Sequence, residues 1–257
     1  MEEFRDIFSV KGKVAMIAGV GGLGYPIACA FLQNGADVIV AARNPEKITG
    51  LQEIAEENHT RYLAVRMDIL DTASIRNAVD TAVKTFGRID ILVNAAGINV
   101  LKKAEEYDDE TWDKVMDVNV KGVHLTCREV GKQMISQKYG RIVNISSLKS
   151  LLGTHQDYIA YCASKGAVNM YTKQLACEWA KYGITCNAVA PTFIRTPINS
   201  FQLDDKEFYD NLVKRIPLGR ICFQKDLVAA VLYLSSDGAS FVTGQILTVD
   251  GGITACQ

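Results

Sequence analysis

Short apolar runs alternate with longer amphipathic segments over most of the 257 residues of the chain. Runs that are apolar throughout are typical of β-strands whose two faces are both buried in a parallel sheet. The predicted strands are 14–18, 38–42, 62–67, 89–93, 140–145, 184–190 and 246–249. Because helical segments separate them, the sequence predicts an α/β fold: residues 1–257 form a single doubly wound Rossmann-type domain with a central parallel sheet flanked by helices.

The helices predicted between these strands run over 24–34, 45–58, 72–86, 109–136, 161–182 and 225–235. In doubly wound sheets, ligands bind beyond the carboxyl ends of the strands. Glycine-rich or polar residues follow five of the predicted strands, namely Gly19–Gly24, Arg43, Asp68, Asn94 and Ser147. We therefore expect a ligand site at this edge of the sheet.

The composition argues against several other classes of protein. The formal net charge is −1, and no basic stripe with interleaved aromatic residues marks a nucleic-acid partner. No apolar run reaches the roughly 18 residues that span a bilayer, and the acidic start of the chain lacks a signal-peptide pattern. The seven cysteines contain no C-x-x-C pair, and the three histidines have no metal-ligand spacing. We expect a cytoplasmic protein with free thiols, no metal and no membrane partner.

The turn after the first predicted strand is rich in glycine. It reads Gly19-Val20-Gly21-Gly22-Leu23-Gly24 and precedes a predicted helix. Glycine lets the backbone turn sharply and approach a pyrophosphate, whose charge then faces the helix N-terminus. We therefore predict that Gly19, Gly21, Gly22, Leu23 and Gly24 bind a dinucleotide; a merely tight strand-to-helix turn is the alternative.

The end of the second predicted strand reads Ala41-Ala42-Arg43-Asn44. An acid here would accept hydrogen bonds from the ribose 2′-hydroxyl and repel a 2′-phosphate, whereas an arginine accommodates that phosphate. Asp37 lies at the opposite end of the strand, so we predict that Arg43 and Asn44 contact the cofactor and that NADP(H) is preferred over NAD(H). A solvated Arg43 is the alternative. Asp68 and Ile69 follow the third strand and are candidates for the adenine edge, although Asp68 could equally be a loop or capping carboxylate.

Tyr161 and Lys165 lie four residues apart in a predicted helix and therefore share one face of it. A cation beside a phenol favours the phenolate and lowers the phenol pKa from its usual value of roughly 10. Acid–base catalysis is efficient when that pKa lies near neutral pH. The pair thus predicts a proton-transfer site, although a tyrosine and a lysine at this spacing also occur as ordinary surface pairs.

These residues together resemble the short-chain dehydrogenase/reductase family over about residues 8–254. The resemblance is carried by Asn94-Ala95-Ala96-Gly97, Asn119, Ser146-Ser147, Tyr161-x-x-x-Lys165, Ala190-Pro191-Thr192, Ile194 and Thr196. It implies hydride transfer between a nicotinamide cofactor and a secondary alcohol or carbonyl compound.

The resemblance also implies a role for each matching residue. Tyr161 would exchange a proton with the substrate oxygen, Lys165 would lower the Tyr161 pKa and bind the nicotinamide ribose, and Ser147 would hydrogen-bond the substrate oxygen. Its neighbour Ser146 should point the other way. Asn119 would hold a water in a proton relay, with the bracing of a helix bend as the alternative. The residues expected to contact the cofactor beyond the glycine turn are Asn94, Ala95, Gly97, Tyr161, Lys165, Pro191, Ile194 and Thr196.

Two departures from the family pattern concern the cofactor site. The family's T-G-x-x-x-G-x-G turn is one residue shorter here, and Ala18 stands in place of its threonine. Thr192 replaces the glycine that usually follows the proline, and we expect it to tighten the nicotinamide pocket.

Two segments, 148–158 and about 192–215, are expected to line the substrate. The candidate substrate residues are Lys149, His155 and Thr192, with a solvated loop as the alternative for the first two. Stretches 94–99, 214–220 and 242–252 resemble gluconate 5-dehydrogenases, although Lys102-Lys103 lie two positions beyond the place where arginines are expected. We hypothesise a small polar substrate such as a sugar acid.

Proteins with other functions could carry the same motifs. A 3-oxoacyl or general ketone reductase is the alternative within the family, and a cofactor-sensing or structural protein is the alternative outside enzymes. Members of the family are commonly tetramers, so a homotetramer, or else a dimer, is expected.

Overall fold

The computed structural model describes residues 4–153, 157–196 and 199–256. Within these ranges, seven strands form one sheet in the order β3-β2-β1-β4-β5-β6-β7, and every neighbouring pair is parallel. The strands are β1 Val14–Ala18, β2 Asp37–Ala42, β3 Tyr62–Arg66, β4 Ile91–Asn94, β5 Gly140–Ile145, β6 Ile184–Pro191 and β7 Ile246–Val249. The predicted parallel α/β sheet is confirmed.

Nine α-helices lie in the described ranges and connect these strands. They are α1 Gly24–Gln33, α2 Leu51–Glu57, α3 Thr72–Phe86, α4 Asp109–Met116, α5 Gly122–Gln137, α6 Ile159–Trp179, α7 Ser200–Leu203, α8 Lys206–Lys214 and α9 Gln224–Ser235. The helix predicted over 45–58 is interrupted at Gly50, whose φ of +84° is the left-handed conformation that favours glycine. The long helix predicted over 109–136 is divided by a π-helical segment, Asp117–Lys121.

The hydrophobic core forms two layers because successive side chains of a strand point to opposite faces of the sheet. In β1, Met16 belongs to the layer that α3, α5 and α6 cover, whereas Ile17 belongs to the layer that α1, α2 and α9 cover. A third, smaller cluster of Leu203, Leu212, Ile216 and Ile221 lies under α7 and α8. These two helices were not predicted from the sequence.

The strand order reverses between β1 and β4. From β1 the chain first winds outward through β2 and β3, then crosses back to β4 on the other side of β1. The connections on the two sides of this point diverge and leave a crevice at the carboxyl ends of the strands. None of the helices in the described ranges has the length and apolar character needed to cross a membrane.

Candidate active site

The glycine turn between β1 and α1 leaves no room for side chains at two positions. A Cβ atom on Gly19, whose φ is +91°, would lie 2.7 Å from Ala96, and a Cβ atom on Gly24 would overlap the Gly19 carbonyl oxygen. No side chain caps the start of α1. Its first backbone N–H groups therefore remain available to an anion beside the turn, which fits the predicted pyrophosphate site.

A cavity of about 920 Å³ extends from this turn to α8. The predicted site residues that line it are Gly21, Gly22, Leu23, Ala95, Gly97, Ser147, Lys149, Tyr161, Lys165, Pro191, Thr192, Ile194 and Thr196. The predicted residues that do not line it are Gly19, Gly24, Arg43, Asn44, Asp68, Ile69, Asn94 and Asn119. His155 lies outside the described residues. The structure thus brings most of the predicted site to one cavity.

Tyr161 lies in the first turn of α6, and Ser147 lies two residues beyond the end of β5; their side chains are hydrogen-bonded to each other. Burial raises the pKa of the Tyr161 phenol to about 12, and the hydrogen bond to Ser147 only partly offsets this. The expected lowering of this pKa by Lys165 is therefore not found, because desolvation of the phenolate is the largest effect. Tyr161 is a neutral proton donor in this structure.

Lys165 follows Tyr161 by one helical turn and is buried. Its Nζ donates a hydrogen bond to the Ile145 carbonyl oxygen at 2.7 Å and lies 5.6 Å from the centroid of the Tyr161 ring. Burial lowers the pKa of the Lys165 ammonium to about 8. The end of β5 thus holds a lysine in the cavity wall that can lose its proton under mildly alkaline conditions.

Asn119 lies in the π-helical segment and is fully buried. Its Oδ1 accepts a hydrogen bond from the Ile98 N–H at 2.8 Å, and its Nδ2 donates to the Ile98 carbonyl oxygen at 2.9 Å. Nδ2 also donates to Ser164 Oγ at 3.0 Å. The side chain thus braces the loop after β4 against α6, which fits the bracing alternative; the proton relay stays a prediction.

A buried hydrogen-bond chain below Ser147 was not predicted. Ser146 Oγ donates to Asn169 Oδ1 at 2.6 Å, Asn169 Nδ2 donates to Ser150 Oγ at 2.7 Å, and Ser150 Oγ donates to the Ser147 carbonyl oxygen at 2.5 Å. The chain ties the loop after β5 to α6. A sequence signal existed, since residues 161, 165 and 169 continue one four-residue spacing along a single helix face.

Comparison with known proteins identifies the family. A family model described as enoyl-(acyl carrier protein) reductase matches residues 17–254. Among curated proteins, the NAD-dependent glycerol dehydrogenase of Listeria innocua serovar 6a is 36% identical over 98% of this chain and 97% of its own length. The chain belongs to the short-chain dehydrogenase/reductase family.

Other relatives within this family differ in their named activities. The 3-oxoacyl-(acyl-carrier-protein) reductase of Rickettsia conorii is 38% identical, over 96% of this chain and 99% of that protein. A crystal structure of a gluconate 5-dehydrogenase from Burkholderia cenocepacia in complex with NADP and tartrate superposes with a TM-score of 0.93, at 36% identity over 98% of this chain and 99% of that one. Family membership makes this chain an oxidoreductase but leaves its substrate open.

Two residues that were predicted from the sequence to contact the cofactor have side chains that are hydrogen-bonded within the protein. Asn94 Nδ2 donates to Asn144 Oδ1 at 2.8 Å and also contacts Cys127, so its side chain joins β4 to β5. Asp68 accepts a hydrogen bond from the Leu70 N–H at 2.9 Å, which fits the loop-carboxylate alternative. Cofactor contacts by Asn94 would therefore have to come from its backbone.

The two ends of β2 have opposite environments. Asp37, at the start, accepts hydrogen bonds from the backbone and side chain of Arg61, at 2.8 and 2.9 Å. Arg43, just beyond the other end, is exposed, and no carboxylate in the described part of the chain pairs with it. The structure thus leaves Arg43 available at the edge where the glycine turn lies.

Asn199 braces the segment after β6. From the sequence, this residue was placed only in a segment expected to line the substrate. Asn199 Nδ2 donates to the Ile194 carbonyl oxygen at 2.8 Å, and its Oδ1 accepts from the Thr196 N–H at 2.8 Å. Thr192, where the family usually has glycine, is buried beside the cavity, and its Oγ1 has no hydrogen-bond partner. An unpaired buried hydroxyl is costly, so this group is available to a ligand.

Proposed function

We propose that this short-chain dehydrogenase/reductase transfers hydride between NADP(H) and a secondary alcohol or ketone, with a small polar compound such as a sugar acid as substrate. The observation that carries the proposal is the meeting of Ser147, Tyr161 and Lys165 in one cavity with the glycine turn. A cofactor of this class supplies the hydride, and the protein supplies orientation and proton transfer.

Tyr161 is the proton donor in the direction of carbonyl reduction. Its phenol is protonated at neutral pH, since burial raises its pKa to about 12, and it is hydrogen-bonded to Ser147. Ser147 holds the substrate oxygen within reach of that phenol, and Lys165 binds the nicotinamide ribose from α6, where its hydrogen bond to the Ile145 carbonyl oxygen orients it. In alcohol oxidation the proton returns from the substrate to Tyr161.

Arg43 supports a preference for NADP(H), because an unpaired guanidinium at the end of β2 can bind the 2′-phosphate. The relatives do not decide this point, since one is named NAD-dependent and another was solved with NADP. Fluorescence titration with NADPH and NADH tests it. We expect tighter NADPH binding, lost in Arg43→Ala and partly kept in Arg43→Lys, with NADH binding unchanged in both. Tighter binding of NADH by the wild-type protein would contradict the proposal.

The polar side chains in the cavity support a small hydroxylated substrate. Asn99, Lys149, Gln202 and Asn211 all line it beside the catalytic group. The gluconate 5-dehydrogenase among the structural neighbours acts on a molecule of that kind. A spectrophotometric panel of polyols, aldonates and their oxo derivatives tests the class, and turnover of none of them would contradict it.

The second candidate function is the reduction of 3-oxoacyl thioesters, and the Rickettsia conorii reductase is the relative that favours it. Parallel assays with acetoacetyl-CoA and 5-keto-D-gluconate separate the two, because the better substrate should be favoured in kcat/KM by at least about tenfold.

A homotetramer is part of the proposal, because apolar side chains are exposed on α6 and before β7. Met170 is 62% exposed and Phe241 is fully exposed. Light scattering coupled to size-exclusion chromatography gives the mass in solution, and a monomer at micromolar concentration would exclude the tetramer.

A further inference from the structure

The charged residues that line the cavity all have the same sign. In the part of its lining that the structure describes, the cations are Lys149, Lys165 and Arg215, and no aspartate or glutamate accompanies them. Lys165 is accounted for by its hydrogen bond to Ile145 and its place beside Tyr161. The other two cations have no role in the proton transfer.

Lys149 is surrounded by aromatic rings rather than by acids. Its Nζ lies 4.9 Å from the centroid of the Tyr158 ring and 5.7 Å from that of Phe193. No carboxylate in ranges 4–153, 157–196 and 199–256 forms an ion pair with it. Ring faces attract an ammonium group but accept hydrogen bonds poorly, so its N–H groups remain available to a ligand.

Other cations near the cavity do have acidic partners. Lys102, which lies beyond the stretch 94–99 that resembles gluconate 5-dehydrogenases, is 2.5 Å from Asp108. Arg195, near the substrate segment, is 2.5 Å from Asp204. Neighbouring cations thus form ion pairs with carboxylates, whereas Lys149 forms none within the described residues.

Arg215 approaches the same part of the cavity from another element. It follows α8, which packs on the loop after β6 through the rings of Phe193 and Phe208, 5.6 Å apart. Burial lowers the pKa of the Lys149 ammonium; Cys162 opposes this shift, and the positive charge of Arg215 adds to it. Arg215 itself is exposed. The two cations repel each other, and an anion that contacts both would relieve that repulsion.

We propose that Lys149 and Arg215 form an anion-binding subsite that holds the carboxylate or phosphate group of the substrate. This inference rests on the proposed function, because it assigns the charge of the substrate in the same cavity. The Tyr158 ring separates the subsite from the reacting centre: its centroid lies 6.2 Å from that of Tyr161 and 4.9 Å from Lys149 Nζ. That span suits a small molecule whose anionic group is a few carbons from the reacting carbon.

The test compares substrates that differ only in the anionic group. 5-Keto-D-gluconate and L-sorbose carry the same ketone, but a carboxylate in the first is a hydroxymethyl group in the second. L-Sorbose 6-phosphate carries a phosphate on that hydroxymethyl group and represents the phosphate source. We expect the wild-type enzyme to favour one of the two anions over L-sorbose by at least about tenfold in kcat/KM, since a site built for a charged group rejects the analogue that lacks it. The favoured anion identifies the source.

The variants Lys149→Gln and Arg215→Gln should bring this ratio close to one, mainly through KM for the anion. Lys214→Gln is the matched control, because Lys214 is the neighbouring cation on α8 and does not line the cavity; its ratio should equal that of the wild type. A wild-type ratio near one, or a ratio that survives both substitutions, would overturn the inference.

A binding measurement separates this inference from the proposed function. If none of the three ketones is reduced, the proposed function fails, and calorimetry with L-tartrate and its neutral counterpart L-threitol still tests the subsite. Tartrate binding that exceeds threitol binding and is lost in Lys149→Gln would support the subsite without the activity. Equal binding of both compounds, or binding of neither, would overturn it.

Discussion

The two walls of the cavity are built differently. The catalytic wall, formed by Ser147 and the first turns of α6, is anchored in the main core, and Lys165, Asn119 and Asn169 each have hydrogen-bond partners. The substrate wall, residues 192–196 and 199–215, stands on its own small cluster under α7 and α8. There the Thr192 hydroxyl is buried without a partner, and Arg215 has no ion pair in the described part of the chain.

This difference separates proton transfer from recognition. Proton transfer requires a fixed geometry, and the catalytic wall supplies it through hydrogen bonds that exist before any ligand binds. Recognition requires groups whose partners come from the ligand, and the substrate wall supplies those. Substitutions on the catalytic wall should therefore change kcat, and substitutions on the substrate wall should change KM.

The largest effect is expected from Tyr161→Phe. Loss of the phenol removes the proton donor and should lower kcat by about 10³-fold, within the range typical of general acid–base groups. NADPH affinity, measured by fluorescence titration, should stay near that of the wild type. A variant that keeps a tenth of the wild-type activity would show that Tyr161 is not the proton donor. The assignment of proton transfer to the catalytic wall would then be wrong.

The next effect is expected from Asn169→Leu, which breaks the hydrogen-bond chain below Ser147. Asn169 does not line the cavity, so the substitution should lower kcat by about 10- to 100-fold by displacing the Ser147 loop, with little change in KM. Ser150→Ala removes the next link of the same chain. If the chain acts as one unit, the double variant is no worse than Asn169→Leu alone; additive losses would show independent roles.

Phe201→Ala tests the substrate wall. Phe201 lines the cavity and is 65% exposed, so its loss removes ligand contact without opening the core. We expect KM to rise by about three- to tenfold, with kcat and the thermal midpoint unchanged. Phe4→Ala, at a phenylalanine that is 71% exposed and does not line the cavity, is the control. A large fall in kcat would show that the substrate wall also sets the reacting geometry.

The smallest effect concerns the pH dependence of cofactor binding. The pKa of Lys165 is lowered to about 8, so its positive charge is present below that pH and is lost above it. NADH affinity should be constant below about pH 7 and should fall a few-fold between pH 7 and pH 9.5, because the affinity of a site for an anion follows its charge. Lys165→Met should bind more weakly with no such step. A step that persists in the variant would come from another group.

The sheet and most of its edge residues were predictable because short apolar runs and the polar residues that follow them are visible in the local sequence pattern. The interruption at Gly50 and the π-helical segment could not be predicted. The spacing of apolar residues indicates a helix but does not show where the backbone hydrogen bonds change from the α-helical to another spacing. The helices α7 and α8 are short and bury only a small cluster, so their apolar pattern was too weak to be recognised.

The site was predicted in part. The spacing of Tyr161 and Lys165 placed both on the cavity wall. The predicted direction of the Tyr161 pKa shift was wrong. The sequence shows which charged residues are near Tyr161 in the chain but not how much water is excluded from around its phenol. The inward turn of the Asn94 side chain toward Asn144 depends on two strands 50 residues apart and had no local signal.

The π-helical segment Asp117–Lys121 takes up one residue more per turn than an α-helix, because its hydrogen bonds span five residues and not four. The helices on its two sides therefore keep the faces that they would have without the additional residue. A deletion in α5 has no such turn to absorb it and would rotate the part of the chain before it by about 100° relative to the part after it. Val115, now fully buried, would then move off the core-facing side. A single deletion in α5 should therefore harm the enzyme more than a substitution at an exposed position of the same helix.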